Sequence, residues 1–191
     1  MTTSTLDTQT DVIDIILAEV SGALSRVERS QVSELADALS VATRVFVTGE
    51  GRSGFMAKAF AMRLMHLGLE VHVIGEATTP SVGAGDTLVA VSGSGTTAGT
   101  VRVAEQSARV GAAVHAVTTD PKSPMAAAAE TVLTVPAATK YRRADEPPTV
   151  QPLSSLFDQT THMLLDVICL QMAQRRGVDN ATARAAHANT E

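Results

Sequence analysis

Five short apolar runs constrain this chain more than any other feature: residues 44–48, 70–74, 87–91, 113–117 and 131–135, of which Leu88-Val89-Ala90-Val91 is typical. Most are apolar through their length rather than alternating, which is how strands covered on both faces of a parallel sheet read. Helical patterns fill the gaps at 54–67, 97–110 and 123–129. The order β-α-β-β-α-β-α-β with short connections predicts a doubly wound α/β sandwich that binds ligands at the carboxyl ends of its strands. Ser53 and Ser123 are placed as N-caps of the first and last of these helices, with Pro124 at a first helical position. Gly68 and Gly111 are placed to end the first two.

Helical segments flank this unit. Val12, Ile16, Val20, Leu24 and Val27, then Val32, Leu35, Ala36 and Leu39, predict one or two helices over 12–40. The stretch "PAATKYRRADEPPTV", 136–150, is charged and aperiodic and reads as a surface loop. An amphipathic helix is expected over 152–176, with Leu156, Met163, Leu164, Val167, Ile168 and Gln171 as its stripe and Gly177 as its stop. With 191 residues the chain suits a single core. The expected organisation is a flexible N-terminus at 1–10, one domain at 11–176 and a frayed tail at 177–191.

Apolar residues make up 45% of the chain and charged residues 18%, the balance of a folded protein. A net charge of −5 argues against nucleic acid as a partner. Cys169 stands alone and cannot form an internal disulfide, the start "MTTSTLDTQT" lacks the plan of a signal peptide, and the apolar runs are too short to span a bilayer. The expectation is a soluble cytoplasmic protein without a membrane partner.

Two glycine-rich turns carry the functional signal. In "VTGEGRSGF", 47–55, Gly49, Gly51 and Gly54 satisfy G-x-G-x-x-G, and Glu76 lies where a ribose-binding acid of a dinucleotide fold would sit. The second turn, "SGSGTT" at 92–97, again follows a strand-like run and precedes a helical pattern. Its small residues admit an anion to the backbone N–H groups, its hydroxyls donate, and the helix behind adds a favourable dipole. Four hydroxyls in six residues suit a compact monophosphate better than a pyrophosphate, which needs bare glycine backbone. Each turn also has a plain reading as turn and cap, with Ser53 an N-cap and Arg52 a surface charge. Their occurrence at the ends of two strands weighs against that.

Together, "VTGEGRSGFMAKAFAMRLMHLG", "VAVSGSGTTAGT", "TTDPKSPMA" and "VQPLSSLFDQ" resemble the SIS (sugar isomerase) domain family, and within it the 6-phospho-3-hexuloisomerases. The resemblance covers about 12–174. It implies a single SIS domain, a three-layer αβα sandwich with a five-stranded parallel sheet, no cofactor and no metal. It also implies conversion of D-arabino-3-hexulose 6-phosphate to D-fructose 6-phosphate in the ribulose monophosphate route of formaldehyde fixation, with 3-hexulose-6-phosphate synthase as pathway partner. The resemblance places the phosphorylated sugar on Ser53, Ser92, Ser94 and Thr97, with Gly93 and Thr96 contributing N–H groups and Gly51 and Arg52 beside them. SIS proteins associate through helices, so a homo-oligomer, a tetramer, is expected. Other readings of the same residues are an arabinose- or heptose-phosphate isomerase, a non-catalytic sugar-phosphate module, and a nucleotide-binding oxidoreductase resting on Gly49, Gly51, Gly54 and Glu76 alone.

Moving a carbonyl from C3 to C2 needs a base that takes the C2 proton and returns it to C3 through an enediolate, and a carboxylate suits that work. Asp158 in "SSLFDQ" is the candidate, where family members usually carry Glu. If Ser155 is the N-cap, Asp158 is instead the acid of a capping box, whereas a start at Pro152 leaves it free. His66 is the second candidate, as an acid or hydroxyl-proton shuttle, in this chain's site or a neighbour's; its alternative is a helix C-terminal histidine favoured by the dipole. His162 reads as a partly exposed helix residue, His72 and His115 as packed strand residues, and Glu76 as a turn acid near the site mouth. The Lys140, Arg142 and Arg143 cluster reads as a solvated loop that could steer an anion.

Overall fold

In the computed structural model, which describes residues 11–190, each apolar run forms a strand: β1 (Arg44–Gly49), β2 (Glu70–Val73), β3 (Thr87–Val91), β4 (Ala113–Thr118) and β5 (Thr131–Thr134). All neighbouring strands are parallel and the order is β2-β1-β3-β4-β5. The helices are α1 (Val12–Ser25), α2 (Arg29–Val41), α3 (Gly51–His66), α4 (Ala98–Arg109), α5 (Pro124–Ala127), α6 (Ser155–Arg176) and α7 (Asn180–Ala185). The expected flexible stretch 1–10 lies outside the described residues.

Alternate strand residues feed two cores, which is why the runs are apolar throughout. Val45, Val47, Val89, Val91, Val117 and Leu133 pack against α1, α2, α3 and α6 on one face. Phe46, Leu88, Ala90, Val114 and Ala116 meet Ala104 of α4 and Met125 of α5 on the other. The single α/β domain with helices on both sides of a five-stranded parallel sheet is therefore as expected. From β1 the chain first builds outward to β2, then returns to place β3 on the other side of β1. The carboxyl ends of β1 and β3, paired at Gly49 and Val91, form the switch point where such sheets open a crevice.

Several boundaries differ from the sequence expectations. Helix α3 begins at Gly51, so Ser53 is not its N-cap but lies in its first turn; Glu50 holds the cap position, with no side-chain cap bond. The reason is close packing: a Cβ on Gly54 would lie 2.6 Å from the Gly49 carbonyl oxygen, and Gly51 takes φ 58° to start the helix early. Helix α6 begins at Ser155 rather than 152. Its buried face is Phe157, Thr161, Leu164, Leu165, Ile168 and Met172, while Met163 and Val167 of the expected stripe face outward. Apolar residues surround much of α6, so spacing alone did not single out the inner line.

The expected frayed tail contains α7, whose N-cap Asp179 accepts from the Thr182 N–H at 2.8 Å. The expected ends are found: Ser123 caps α5, and Gly68, Gly111 and Gly177 turn the chain with positive φ after α3, α4 and α6. The loop 136–150 holds no helix or strand, yet it is pinned rather than merely solvated. Arg142 donates to the carbonyls of Thr139, Gln151 and Leu153, and Glu146 accepts from the Thr139 hydroxyl at 2.6 Å and N–H at 2.8 Å. Glu19 of α1 holds the far end through Thr149, the Val150 N–H and Gln151.

Candidate active site

A cleft of about 310 Å³ opens at the switch point. Three segments line it: 50–53 at the start of α3, 91–94 with Thr97 after β3, and Thr139, Lys140, Leu153, Ser154 and Asp158 from the loop before α6 and its first turn. The fold thus brings Gly51, Arg52, Ser53, Ser92, Gly93, Ser94, Thr97 and Asp158 together. Thr96 is exposed and lies just outside the lining, where its hydroxyl and N–H both donate to Ser94 Oγ, at 2.9 and 3.2 Å.

The 92–97 loop is held rigidly. The Gly93 carbonyl accepts from the Thr119 N–H at 3.0 Å and hydroxyl at 2.8 Å and from the Thr118 hydroxyl at 3.2 Å, so the loop is tied to the end of β4. Ser92 Oγ and Thr97 Oγ1 lie 3.0 Å apart and share a hydrogen bond across the loop. Glycine is required at Gly95, where φ is 64° and a Cβ would stand 2.0 Å from Ser123 Oγ, and it fits tightly at Gly93, where a Cβ would stand 3.1 Å from the Phe157 ring. Small residues, hydroxyls and the start of α4 converge as an anion cradle would.

Asp158 is only 3% exposed and sits in the fourth position of α6. Ser155 is the first helical residue rather than the N-cap, so the capping-box geometry does not form. The Asp158 carboxylate turns instead toward α3, accepting from the Ser53 hydroxyl at 3.1 Å and pairing with Arg52 Nε at 3.1 Å. Burial pushes its carboxyl above the usual aspartate range, while the Ser53 hydrogen bond and the Arg52 charge pull it back. A buried acid with opposed shifts, in a cleft, has the character of a proton-transfer group.

The family model for the SIS domain matches residues 38–166, more than half of the chain. This chain belongs to the SIS domain family. A Bacillus subtilis relative named 3-hexulose-6-phosphate isomerase is 34% identical over 182 residues, 95% of this chain and 98% of the relative. One of the same name from Mycobacterium gastri is 39% identical over 185 residues, 97% and 92% of the two chains. Among solved structures, a Methanococcus jannaschii protein, described as hypothetical with an inferred molecular function of 3-hexulose-6-phosphate isomerase, superposes with TM-score 0.80 at 26% identity. That match covers 94% of this chain and 98% of the other.

The SIS fold does not gather every candidate residue. His66 closes α3 at the end opposite Gly51, roughly 22 Å away along a helix of this length. It is buried, its ring stacks on His187 at 5.2 Å, and burial with Arg63 and His187 nearby lowers its pKa. Glu76 pairs with Lys58 at 2.6 Å on the surface and does not line the cleft. His162 is half exposed and pairs with Asp166 at 3.6 Å, away from the Asp158 carboxylate. Cys169 is buried, its thiol pushed up to about 12, which makes it inert as a nucleophile. His115 is a packed strand residue bonded to Thr131 at 2.8 Å, as expected. Among the described residues no three His, Cys, Asp or Glu side chains converge as metal ligands, and no helix is long and apolar enough to cross a membrane.

Besides Val91 at the end of β3, sequence reasoning missed four lining residues: Glu50, Thr139, Leu153 and Ser154. Glu50 was hidden inside a motif read for its glycines, although the residue directly after a central parallel strand is the natural place to look. The others come from a loop without periodicity, which side-chain pinning by Arg142 and Glu146 and the bond from the Lys140 N–H to Ser154 Oγ bring to the cleft.

Proposed function

We propose that this SIS domain is a 3-hexulose-6-phosphate isomerase, converting D-arabino-3-hexulose 6-phosphate to D-fructose 6-phosphate in the ribulose monophosphate pathway. The observation that carries the reading is the juxtaposition, in one cleft, of the hydroxyl-lined turn 92–97 with the buried Asp158 carboxylate. The relatives' shared name, over nearly the whole of both chains, supplies the substrate.

In this reading Ser92, Ser94 and Thr97 hold the phosphate at the start of α4, with Gly51, Arg52, Ser53, Gly93 and Thr96 completing its surroundings. Asp158 takes the C2 proton, the enediolate forms across C2 and C3, the O2 hydroxyl proton passes to O3, and the same carboxyl returns the carbon-bound proton to C3 as the C2 carbonyl forms. Aspartate is one methylene shorter than the usual glutamate, and the reach is recovered only if the sugar settles deep against α6. His66 can join the reaction only in an assembly that brings this end of α3 to another chain's cleft and lifts His187 off the ring. Exposed apolar residues on α1, α3 and α6 support a homo-oligomer, and we take it to be a tetramer. Cytoplasmic placement and supply of substrate by 3-hexulose-6-phosphate synthase belong to the same proposal.

The test is direct. The protein is incubated with arabino-3-hexulose 6-phosphate without added cofactor, and fructose 6-phosphate is followed; formation at catalytic rates is expected, and no turnover removes the reading. A coupled assay with the synthase, formaldehyde and ribulose 5-phosphate then tests the pathway assignment.

A further inference from the structure

Glu50 is the first residue after β1, at the switch point, and lines the cleft. Its carboxylate does not cap α3 and makes no ion pair among the described residues. It reaches across the crevice instead. Its Oε1 lies 2.0 Å, and its Cδ 3.2 Å, from where a Cβ on Gly99 would stand, so the missing side chain at Gly99 leaves the space that the carboxylate fills. Gly99 is the second residue of α4, the helix whose start completes the 92–97 turn. A helix start carries free N–H groups and positive dipole, and the Glu50 carboxylate lies beside it.

That placement has an electrostatic consequence. At the α4 end the other polar groups are the hydroxyls of Ser92, Ser94 and Thr97, which welcome an anion, while on the α3 side Arg52 and Ser53 already face the Asp158 carboxylate and Lys140 adds a second cation to the lining. A phosphate that enters must share the α4 end with Glu50 or displace it. Inorganic phosphate brings only the one or two P–OH groups of the charged centre itself, so any hydrogen bond it gives the carboxylate sets the two charges side by side. A sugar phosphate brings several hydroxyls, and a carboxylate accepts charge-assisted hydrogen bonds from them.

We propose that Glu50 sets the ligand specificity of the cleft: its carboxylate resists a bare anion at the start of α4 and accepts hydrogen bonds from the hydroxyls of a polyhydroxy phosphate. The proposal rests on the sugar-phosphate reading above and adds a residue with a role of its own.

Calorimetric titration at low ionic strength with inorganic phosphate and with fructose 6-phosphate tests it, on the wild-type protein, Glu50→Gln and Gly99→Ala. Glu50→Gln removes the charge at an exposed side chain and keeps its shape; phosphate is expected to bind about tenfold tighter and fructose 6-phosphate no tighter, so that discrimination collapses. Gly99→Ala keeps the charge but moves it, because its Cβ meets only the far end of a flexible side chain, and discrimination is expected to fall in the same direction. A protein that binds the sugar ester yet shows an unchanged ratio of affinities in Glu50→Gln overturns the role of Glu50 alone. Wild-type protein that neither binds fructose 6-phosphate nor turns over the 3-hexulose ester overturns the isomerase reading, and this proposal with it.

Discussion

Burial and two donors pull the Asp158 carboxyl in opposite directions, and the net effect is a raised pKa. The sign has consequences for both activity and stability. A base with a raised pKa loses activity as pH falls through that value, so the acid limb of kcat/KM should lie above the ordinary aspartate range. Arg52→Gln removes one of the lowering influences and should move that limb to higher pH; a pH–rate profile of the variant checks it. For stability, a carboxyl with a raised folded pKa binds a proton longer in the native state, so its contribution is full below the unfolded pKa and is lost as pH rises through the folded one. Asp158→Asn should therefore lower kcat by about 10²- to 10⁴-fold while leaving Tm at neutral pH equal or higher. Thermal melts beside the assay decide it, since a variant that loses Tm with its activity would mark Asp158 as structural. The residue was legible in "SSLFDQ" through family resemblance, but its partners were not. Ser53 and Arg52 read as phosphate neighbours, or plainly as a cap and a surface charge, but not as partners of Asp158, because the helix start that aims them at α6 is set by a glycine contact that no periodicity records.

That contact belongs to the turn between β1 and α3, where the G-x-G-x-x-G spacing recurs without any need of a dinucleotide to explain it. Gly54 packs so closely on Gly49 that a methyl group would meet backbone at 2.6 Å, and backbone cannot yield as a side chain can. Gly54→Ala should lower the unfolding free energy by about 2 kcal/mol or more, in the range of overpacked sites. Gly177 offers the contrast: it takes φ 65° at the end of α6 with nothing within 4 Å of a Cβ, so Gly177→Ala meets backbone strain alone, about 1 kcal/mol. Denaturant titrations of the two variants separate packing from conformation, and equal losses would contradict the distinction. Strand existence, order of elements and most caps could be read from the chain, because doubly covered strands and Ser-Pro or glycine ends leave local marks. The starts of α3 and α6 could not, because the first is set by a close backbone contact within its turn that leaves no periodic mark and the second follows an aperiodic loop.

Taken as a whole, the molecule leaves apolar side chains uncovered on three helices that share one face of the sheet. Val12, Ile13 and Leu17 project from α1, Phe55, Met62 and Met65 from α3, and Met163, Val167 and Leu170 from α6, each between 40% and 65% exposed. In the sequence Met163 and Val167 fit the expected inner stripe as well as the residues that are buried, so spacing does not tell the outer line of α6 from the inner one. Helices α3 and α6 pack against each other, so their two outer lines adjoin and form a surface that water covers poorly in a single chain. A second copy of the chain is the occupant we propose for it. Because such an interface is driven by apolar burial, association should persist at high salt, unlike one held by charge. Light scattering on the eluting protein should give a multiple of the chain mass. Replacing Val167 and Leu170 together by Glu should shift it to the single-chain mass with the circular dichroism spectrum retained, since both side chains are already exposed and neither supports the core. A wild-type protein that elutes as a single chain at micromolar concentration would leave these faces unexplained and remove the homo-oligomer, and with it any route by which His66 could reach a second cleft.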